Sequence, residues 1–350
     1  MPSKLRRQLI DQGKVGAYHC YSRCVRGKYL CGRDRESGKD RSYRKGWIRR
    51  RLEALASVFA IDLLDHAVLD NHVHTILRNR PDIAKKLSEE EVLTRWSRVS
   101  RMSLELQPPM SQEDVDALKT NEEWVSELRA RLSNPSWFMI MLKEPIARRA
   151  NEEDKVSGHF WAERFYSEPL ENDEALLACS LYVDLNPIRA GMARSPEDSV
   201  YTGAHDRLRD LQGERIARGE LRQEALLQLF GIRGDSPRYD LERLLHKPRS
   251  GWLSPLRVEG DGYEGAKAKR RASDLGYLPM SVEKYLEFLD ACGREEVEGK
   301  RGVIPATLPP VLERLQLDPL AWGEEVTKAA KRFARIATKC ASESFRRGAH

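Results

Sequence analysis

Residues 61–77, IDLLDHAVLDNHVHTIL, constrain the fold more than any other stretch of the chain. Two short apolar runs are parted by Asp70-Asn71, a dipeptide that favours a turn. The pattern predicts an antiparallel hairpin of central strands. Upstream, residues 16–25 (GAYHCYSRCV) alternate and are rich in aromatic and small side chains, which suits another strand. A charged loop over residues 26–41 follows. Residues 44–60 then place Trp47, Ile48, Leu52, Leu55 and Phe59 at helical spacing, with arginines on the other side. The order to this point is β-α-β-β.

Residues 81–135 read as an insertion of short amphipathic helices, divided by acidic runs (Glu89 to Glu91, Glu122-Glu123) and by Pro108-Pro109. A helix is predicted over 136–150, then a loop leading into a strand over 159–170. Residues 173–185 (DEALLACSLYVDL) form a helix with acidic residues in its first turn, where they complement the dipole. Asn186-Pro187 is expected to end or kink it, because the residue before proline avoids the α region. Together these elements predict an α+β fold, a β-α-β-β-α-β core of ferredoxin-like layout with one further helix. Three hundred and fifty residues exceed one ordinary domain. The expected division is a first domain over 1–205, containing the insertion at about 81–135, and a mainly α-helical C-terminal domain over 206–350.

Composition narrows the class. Hydrophobic residues make up 40% of the chain, mean hydropathy is −0.61, and no apolar run reaches membrane-spanning length. The first thirteen residues lack the apolar centre of a signal peptide, and six unevenly spaced cysteines make no disulfide framework. A cytoplasmic protein with no membrane partner is expected. The net charge is only +6, yet residues 1–50 hold fifteen Lys or Arg against Asp11, Asp34, Glu36 and Asp40. That +11 leaves −5 for the other 300 residues. A basic block of this kind suits a polyanionic partner or a solvated basic face.

His72-Val73-His74 is the sharpest local signal. Strand residues two apart point the same way, so both imidazoles leave one face together and suit a divalent metal. A solvent-exposed pair at a strand end is the alternative. Tyr182 and Asn186, four apart, share a helical face from which a hydroxyl and an amide oxygen can converge on such a metal. A half-buried aromatic and a C-terminal cap beside Pro187 would account for the same two residues.

Four segments occur in a telling order: GAYHCYSRCVRG (16–27), LDNHVHTIL (69–77), GHFWAERFYS (158–167) and YVDLNPIRAGM (182–192). In this the chain resembles the single-tyrosine HUH transposases, and most closely their bacterial branch of REP-associated tyrosine transposases. The resemblance covers roughly residues 14–80 and 136–200. It implies His72, His74 and Asn186 as ligands of Mg²⁺ or Mn²⁺ and Tyr182 as the nucleophile. It also implies cleavage and rejoining of single-stranded DNA near palindromic hairpins, with Tyr182 linked to a 5′ phosphate and a 3′ hydroxyl released. Such enzymes are monomers or homodimers, cytoplasmic and nucleoid-associated when bound to DNA. Four features depart from the family pattern: Asp70 stands where Pro or Ser is common, SPEDSVYTG (195–203) replaces a Trp and Ser pair, and the acidic insertion and the long C-terminal extension are atypical of its short members.

For DNA contact the expected residues are Arg23, Arg26, Lys28, Arg33, Arg44, Arg49, Arg50 and Arg51, with Arg164 and Arg189. Trp161, Phe165 and Tyr166 could stack bases or simply pack in the core. Tyr166 is not assigned as a second nucleophile. Cys20, Cys24 and Cys31 do not match a zinc pattern and are expected to be buried, His66 to be a packing histidine, and His19, His159 and His205 to be singletons. Two rival functions use the same residues: a domesticated hairpin-DNA binder that does not cut, and a metal-dependent phosphohydrolase that uses water.

Overall fold

The computed structural model describes residues 10–34, 37–220, 249–257, 270–317, 329–330 and 332–333. Most of the basic stretch over residues 328–347 lies outside them, as do the first nine residues of the basic N-terminal block. Strands β1 (Gly16–Arg23), β2 (Ile61–Val68), β3 (His72–Asn79) and β4 (Tyr166–Leu170) form one antiparallel sheet in the order β2-β3-β1-β4. The hairpin is present, closed by the Leu69 N–H donating to the His72 carbonyl at 2.9 Å. Asp70 at its tip accepts from Lys45 Nζ at 2.7 Å, which accounts for an acid at that turn. Of the two hairpin strands only β3 is central, between β1 and β2; β2 is an edge. That edge is nonetheless buried along its length, because the Val68 N–H donates to the Tyr201 carbonyl and the Ser254 N–H to the Leu63 carbonyl. Chain from beyond residue 200 thus caps an edge that would otherwise pair with other strands.

Helices cover both faces. On one lie α1 (Arg44–Ala56) and α6 (Pro135–Asp154), whose Ile48, Leu52, Leu55, Phe138 and Leu142 meet Tyr18, Cys20, Val73 and Leu77 of the sheet. Between β3 and α6 runs the helical insertion: α2 (Pro81–Ala84), α3 (Glu89–Ser97), α4 (Gln112–Leu118) and α5 (Glu122–Leu132). On the other face lie α7 (Asp173–Arg189), α8 (Gly203–Ala217), α9 (Val282–Arg294) and α10 (Val311–Arg314). Leu181, Val183, Leu185 and Ile188 of α7 share a core with Ile76 of β3, Leu208 of α8 and Leu286 and Leu289 of α9. Helix α8 crosses residue 205, and this core joins side chains from both sides of it. Residues 1–205 and 206–350 therefore meet in one continuous apolar interior among the described residues.

Proline placement departs from expectation. Helix α7 does not stop at Asn186-Pro187 but continues to Arg189. Proline removes one intrahelical donor. Residues 178–189 are all buried, however, and the Met192 N–H returns to the Pro187 carbonyl at 2.9 Å, so packing outweighs the lost bond. Tyr182 and Asn186 consequently stay on consecutive turns of one helix.

Candidate active site

The register decides which side chains meet. Arg23 stands opposite His72 and Tyr21 opposite His74 across β1 and β3, while Tyr21 faces Tyr166 and His19 faces Glu168 across β1 and β4. These residues occupy the sheet face that α7 covers. His72 and His74 leave β3 together, their rings 4.9 Å apart and perpendicular. Tyr182 descends from α7 with its ring 5.4 Å from that of His74 and edge-on to it. One turn further, Asn186 Nδ2 lies 3.1 Å from His74 Nε2, joining residues 112 apart in sequence. His72, His74, Tyr182 and Asn186 are therefore in one place.

The electrostatics of the cluster are uniform. Burial pushes the His72 imidazole down to about 3 and holds His74 well below the ordinary histidine range. Arg23 and Lys300 reinforce both shifts, which favour the neutral imidazole, the form that can ligate a metal. Burial raises the Tyr182 hydroxyl above the ordinary phenol range, with Asn186 and Arg23 acting in the opposite direction. Tyr182 is only 6% exposed. Among the described residues no group of three or more His, Cys, Asp or Glu is placed to hold a metal ion. Two neutral imidazoles and one amide fit a borderline divalent cation whose remaining positions are filled by water or phosphate.

Of the residues expected at DNA, Arg23 lies beside the cluster, with its guanidinium carbon 6.0 Å from the centre of the Tyr21 ring. Arg26, Lys28, Arg33, Arg50 and Arg164 are exposed. The Val25 N–H donates to the Phe160 carbonyl and the Ala162 N–H to the Arg23 carbonyl, which lays the loop bearing Arg164 along the end of β1. Five others point inward. Arg44 is fully buried and pairs with Glu153 at 2.7 Å and Asp154 at 2.9 Å. Arg49 pairs with Asp206 at 2.7 Å. Arg51 donates to the carbonyls of Met141, Leu104 and Ser100, fastening the insertion to the core. The Met141 carbonyl is the one that Pro145 of α6 leaves without its helical donor, so Arg51 completes that helix. Arg189 donates to the carbonyls of Cys292 and Glu295. Trp161 is buried and donates its indole N–H to the Lys143 carbonyl. An arginine-rich helix looks the same in sequence whether its guanidinium groups reach phosphate or internal carbonyls, so charge could not separate the two groups.

His19 is not the singleton expected from sequence, and Tyr21 and Lys300, which sequence left without a role, join it in the cluster. His19 Nε2 lies 2.9 Å from His74 Nδ1, and Tyr21 packs between His74 and the stacked ring of Tyr166. The alternation of positions 19, 21 and 23 was a signal, but it means something only once β1 is paired with β3. Lys300 comes from the loop after α9. The Arg301 N–H donates to the Arg189 carbonyl at 3.1 Å, and Gly302 sits where any Cβ would fall 1.9 Å from the Ile188 carbonyl oxygen. His66 is buried against Trp252, and Cys20, Cys24 and Cys31 are buried free thiols. No helix among the described residues is long and apolar enough to cross a membrane.

No protein-family model and no curated protein matches the chain. Among solved structures, the chain is similar to the structure of a REP-associated tyrosine transposase bound to a REP hairpin, with 13% identity over 68% of this chain and 95% of the other and a TM-score of 0.34.

Proposed function

We propose that the protein is a metal-dependent DNA strand transferase. It cleaves and rejoins single-stranded DNA near hairpins, with Tyr182 as nucleophile and His72, His74 and Asn186 as metal ligands. The observation that carries this reading is the meeting of the strand histidines with Tyr182 and Asn186 of α7, closed by the 3.1 Å approach of Asn186 to His74. The strand order and the two helices α1 and α6 on one face agree with a ferredoxin-like core over residues 1–205. Described residues beyond 205 adjoin this core, and the charge of Lys300 acts on the site.

Each residue has a chemical task. The Tyr182 oxygen attacks phosphorus, a new P–O bond forms, and the 3′ oxygen leaves as a hydroxyl after taking up a proton. The 5′ phosphate stays on the tyrosine. One phosphodiester replaces another, so a second 3′ hydroxyl can reverse the step and join different strands. Burial opposes loss of the phenolic proton, and Arg23 favours it. Arg23 and Lys300 also give the site a positive field that attracts the substrate phosphate. A bound Mn²⁺ or Mg²⁺ supplies polarisation of a non-bridging oxygen, and the imidazole donors favour Mn²⁺ over Mg²⁺. Arg26, Lys28, Arg33, Arg50 and Arg164 are the surface cations that would track the strand, and the protein acts as a monomer or homodimer.

The test is to incubate the full chain with single-stranded hairpin oligonucleotides and Mn²⁺ or Mg²⁺, then run a denaturing gel. The proposal expects a protein–DNA adduct that is absent in Tyr182→Phe. Cleavage without an adduct that survives Tyr182→Phe would favour a phosphohydrolase, and tight binding without cleavage would favour a DNA binder.

A further inference from the structure

We infer that His19 is a positioning residue, which locks His74 in the tautomer and orientation that aim its Nε2 at Asn186 and the metal position. The inference rests on the metal reading proposed above but assigns a residue that the reading itself does not use. His19 and His74 come from neighbouring inner strands whose register is set along all eight residue pairs of β1 and β3. Their rings stack at 5.1 Å with an 18° tilt, and His19 Nε2 lies 2.9 Å from His74 Nδ1. His19 is 3% exposed and His74 1%, so water does not compete for the bond.

The proton positions follow from the neighbours. The Asn186 amide, 3.1 Å away, donates to His74 Nε2, which must then be the bare nitrogen. His74 Nδ1 therefore carries the proton and donates it to His19 Nε2, and the proton of His19 sits on its Nδ1. A metal-binding imidazole is ordinarily fixed by a carboxylate or carbonyl at its far nitrogen, and here a second neutral imidazole takes that place. An imidazole orients the ring without adding negative charge, which leaves the field of Arg23 and Lys300 intact for phosphate. His19 also supports the nucleophile. Tyr182 stands edge-on at 81° to both rings, 6.0 Å from His19 and 5.4 Å from His74, so the stacked pair is the floor on which the tyrosine rests.

The experiment compares wild type, His19→Phe and His19→Gln as full chains, with Mn²⁺ binding read by loss of the free-ion EPR signal, in the presence of a hairpin oligonucleotide. Phenylalanine keeps the stack and removes the acceptor, whereas the glutamine carbonyl can still accept. His19→Phe should weaken Mn²⁺ binding by about 10- to 100-fold. His19→Gln should stay within a few-fold of wild type, roughly, because the second-shell acceptor is retained. A folded His19→Phe protein that binds Mn²⁺ like wild type overturns the inference. Wild type that binds no Mn²⁺ sinks the metal reading itself, a different result from a difference among variants. If His19→Phe fails to fold, ¹⁵N-detected tautomer assignment on wild type decides the matter. Nδ1–H with bare Nε2 at His74 supports the inference, and the reverse tautomer overturns it.

Discussion

Helix α7 carries two buried polar clusters, and they differ in the charges each is built from. Tyr182 and Asn186 look onto the neutral rings of His72, His74 and His19, with Arg23 and Lys300 as the nearby cations. Asp184, between them in sequence, lies on the opposite side of the helix, where it meets Asp65 of β2, Arg207 of α8 and Tyr285 of α9. That second cluster is closed by bonds among its own members, which leave Asp65 Oδ2 as its one carboxylate oxygen without a partner among the described residues. Tyr285 donates to Asp184 at 2.6 Å, the Ala204 N–H donates to it at 2.9 Å, and Arg207 reaches Asp65 at 3.4 Å and the Leu64 carbonyl at 2.5 Å. Gly203 is required there, since a Cβ would fall 1.9 Å from Asp65 Oδ1. In the closed cluster two carboxyls share the one guanidinium of Arg207, and its bonds join β2, α7, α8 and α9. The histidine cluster instead sets neutral rings beside the positive charges of Arg23 and Lys300. One network joins the two parts of the chain, and the other gathers the residues proposed to carry the chemistry.

Substitutions should separate the two sharply. The largest effect expected is on activity: Tyr182→Phe should reduce adduct formation to background in the hairpin cleavage assay. Its unfolding free energy in urea should change by no more than about 1 kcal/mol, the net worth of one hydroxyl. Arg207→Met should do the reverse. Leaving Asp65 and Asp184 buried without their cation should cost about 3–5 kcal/mol in the same urea titration. If Arg207→Met unfolds no more easily than wild type, the closed cluster is not what joins the two parts.

Acid should also distinguish them, with opposite signs. His19 and His72 have folded-state values of about 4 and about 3 against an ordinary 6.5. Both values are depressed, so the unfolded chain takes up protons first. Stability from these rings is present above pH 6.5 and is lost as pH falls from there towards 4 and 3, at up to about 1.4 kcal/mol per pH unit for each ring. Burial pushes both Asp65 and Asp184 upward, and Asp184 adds to the shift at Asp65, so their contribution is present below the ordinary carboxylate range and is lost as pH rises above it. Urea midpoints measured from pH 4 to 7 should therefore fall less steeply towards acid in His19→Gln than in wild type. The smallest expected effect is at the rim. Lys300→Ala should reduce the slope of log affinity for single-stranded DNA against log salt by about 0.7, the loss of one phosphate contact. An unchanged slope would remove the loop after α9 from the DNA surface.

The placement of side chains within each segment was legible in the residues, because it is local. The turn at Asp70-Asn71 defines the hairpin, spacing by two puts His72 and His74 on one face, and spacing by four puts Tyr182 and Asn186 on one side of a helix. What was not legible depends on pairing and packing between distant segments. His19 belongs to the cluster only through the β1–β3 register, and Lys300 only through the clamp of residues 301 and 302 on the end of α7. Arg44, Arg49, Arg51 and Arg189 carry the same charge as Arg23, and only the partners the fold brings to them decide that they bind the protein itself. Pro187 misled for the same reason, since burial of the whole end of α7 overrides a local preference.

Three tyrosines lie on the face that α7 covers: Tyr182 on the helix, Tyr21 beside His74, and Tyr166 stacked on Tyr21 at 4.9 Å. Mass spectrometry of the nucleotide-linked peptide, after cleavage of a hairpin oligonucleotide with Mn²⁺, asks directly which of them attacks phosphorus. A single modified peptide carrying the nucleotide on Tyr182 is expected. A nucleotide on Tyr21 or Tyr166, or cleavage that leaves every tyrosine unmodified, would contradict it.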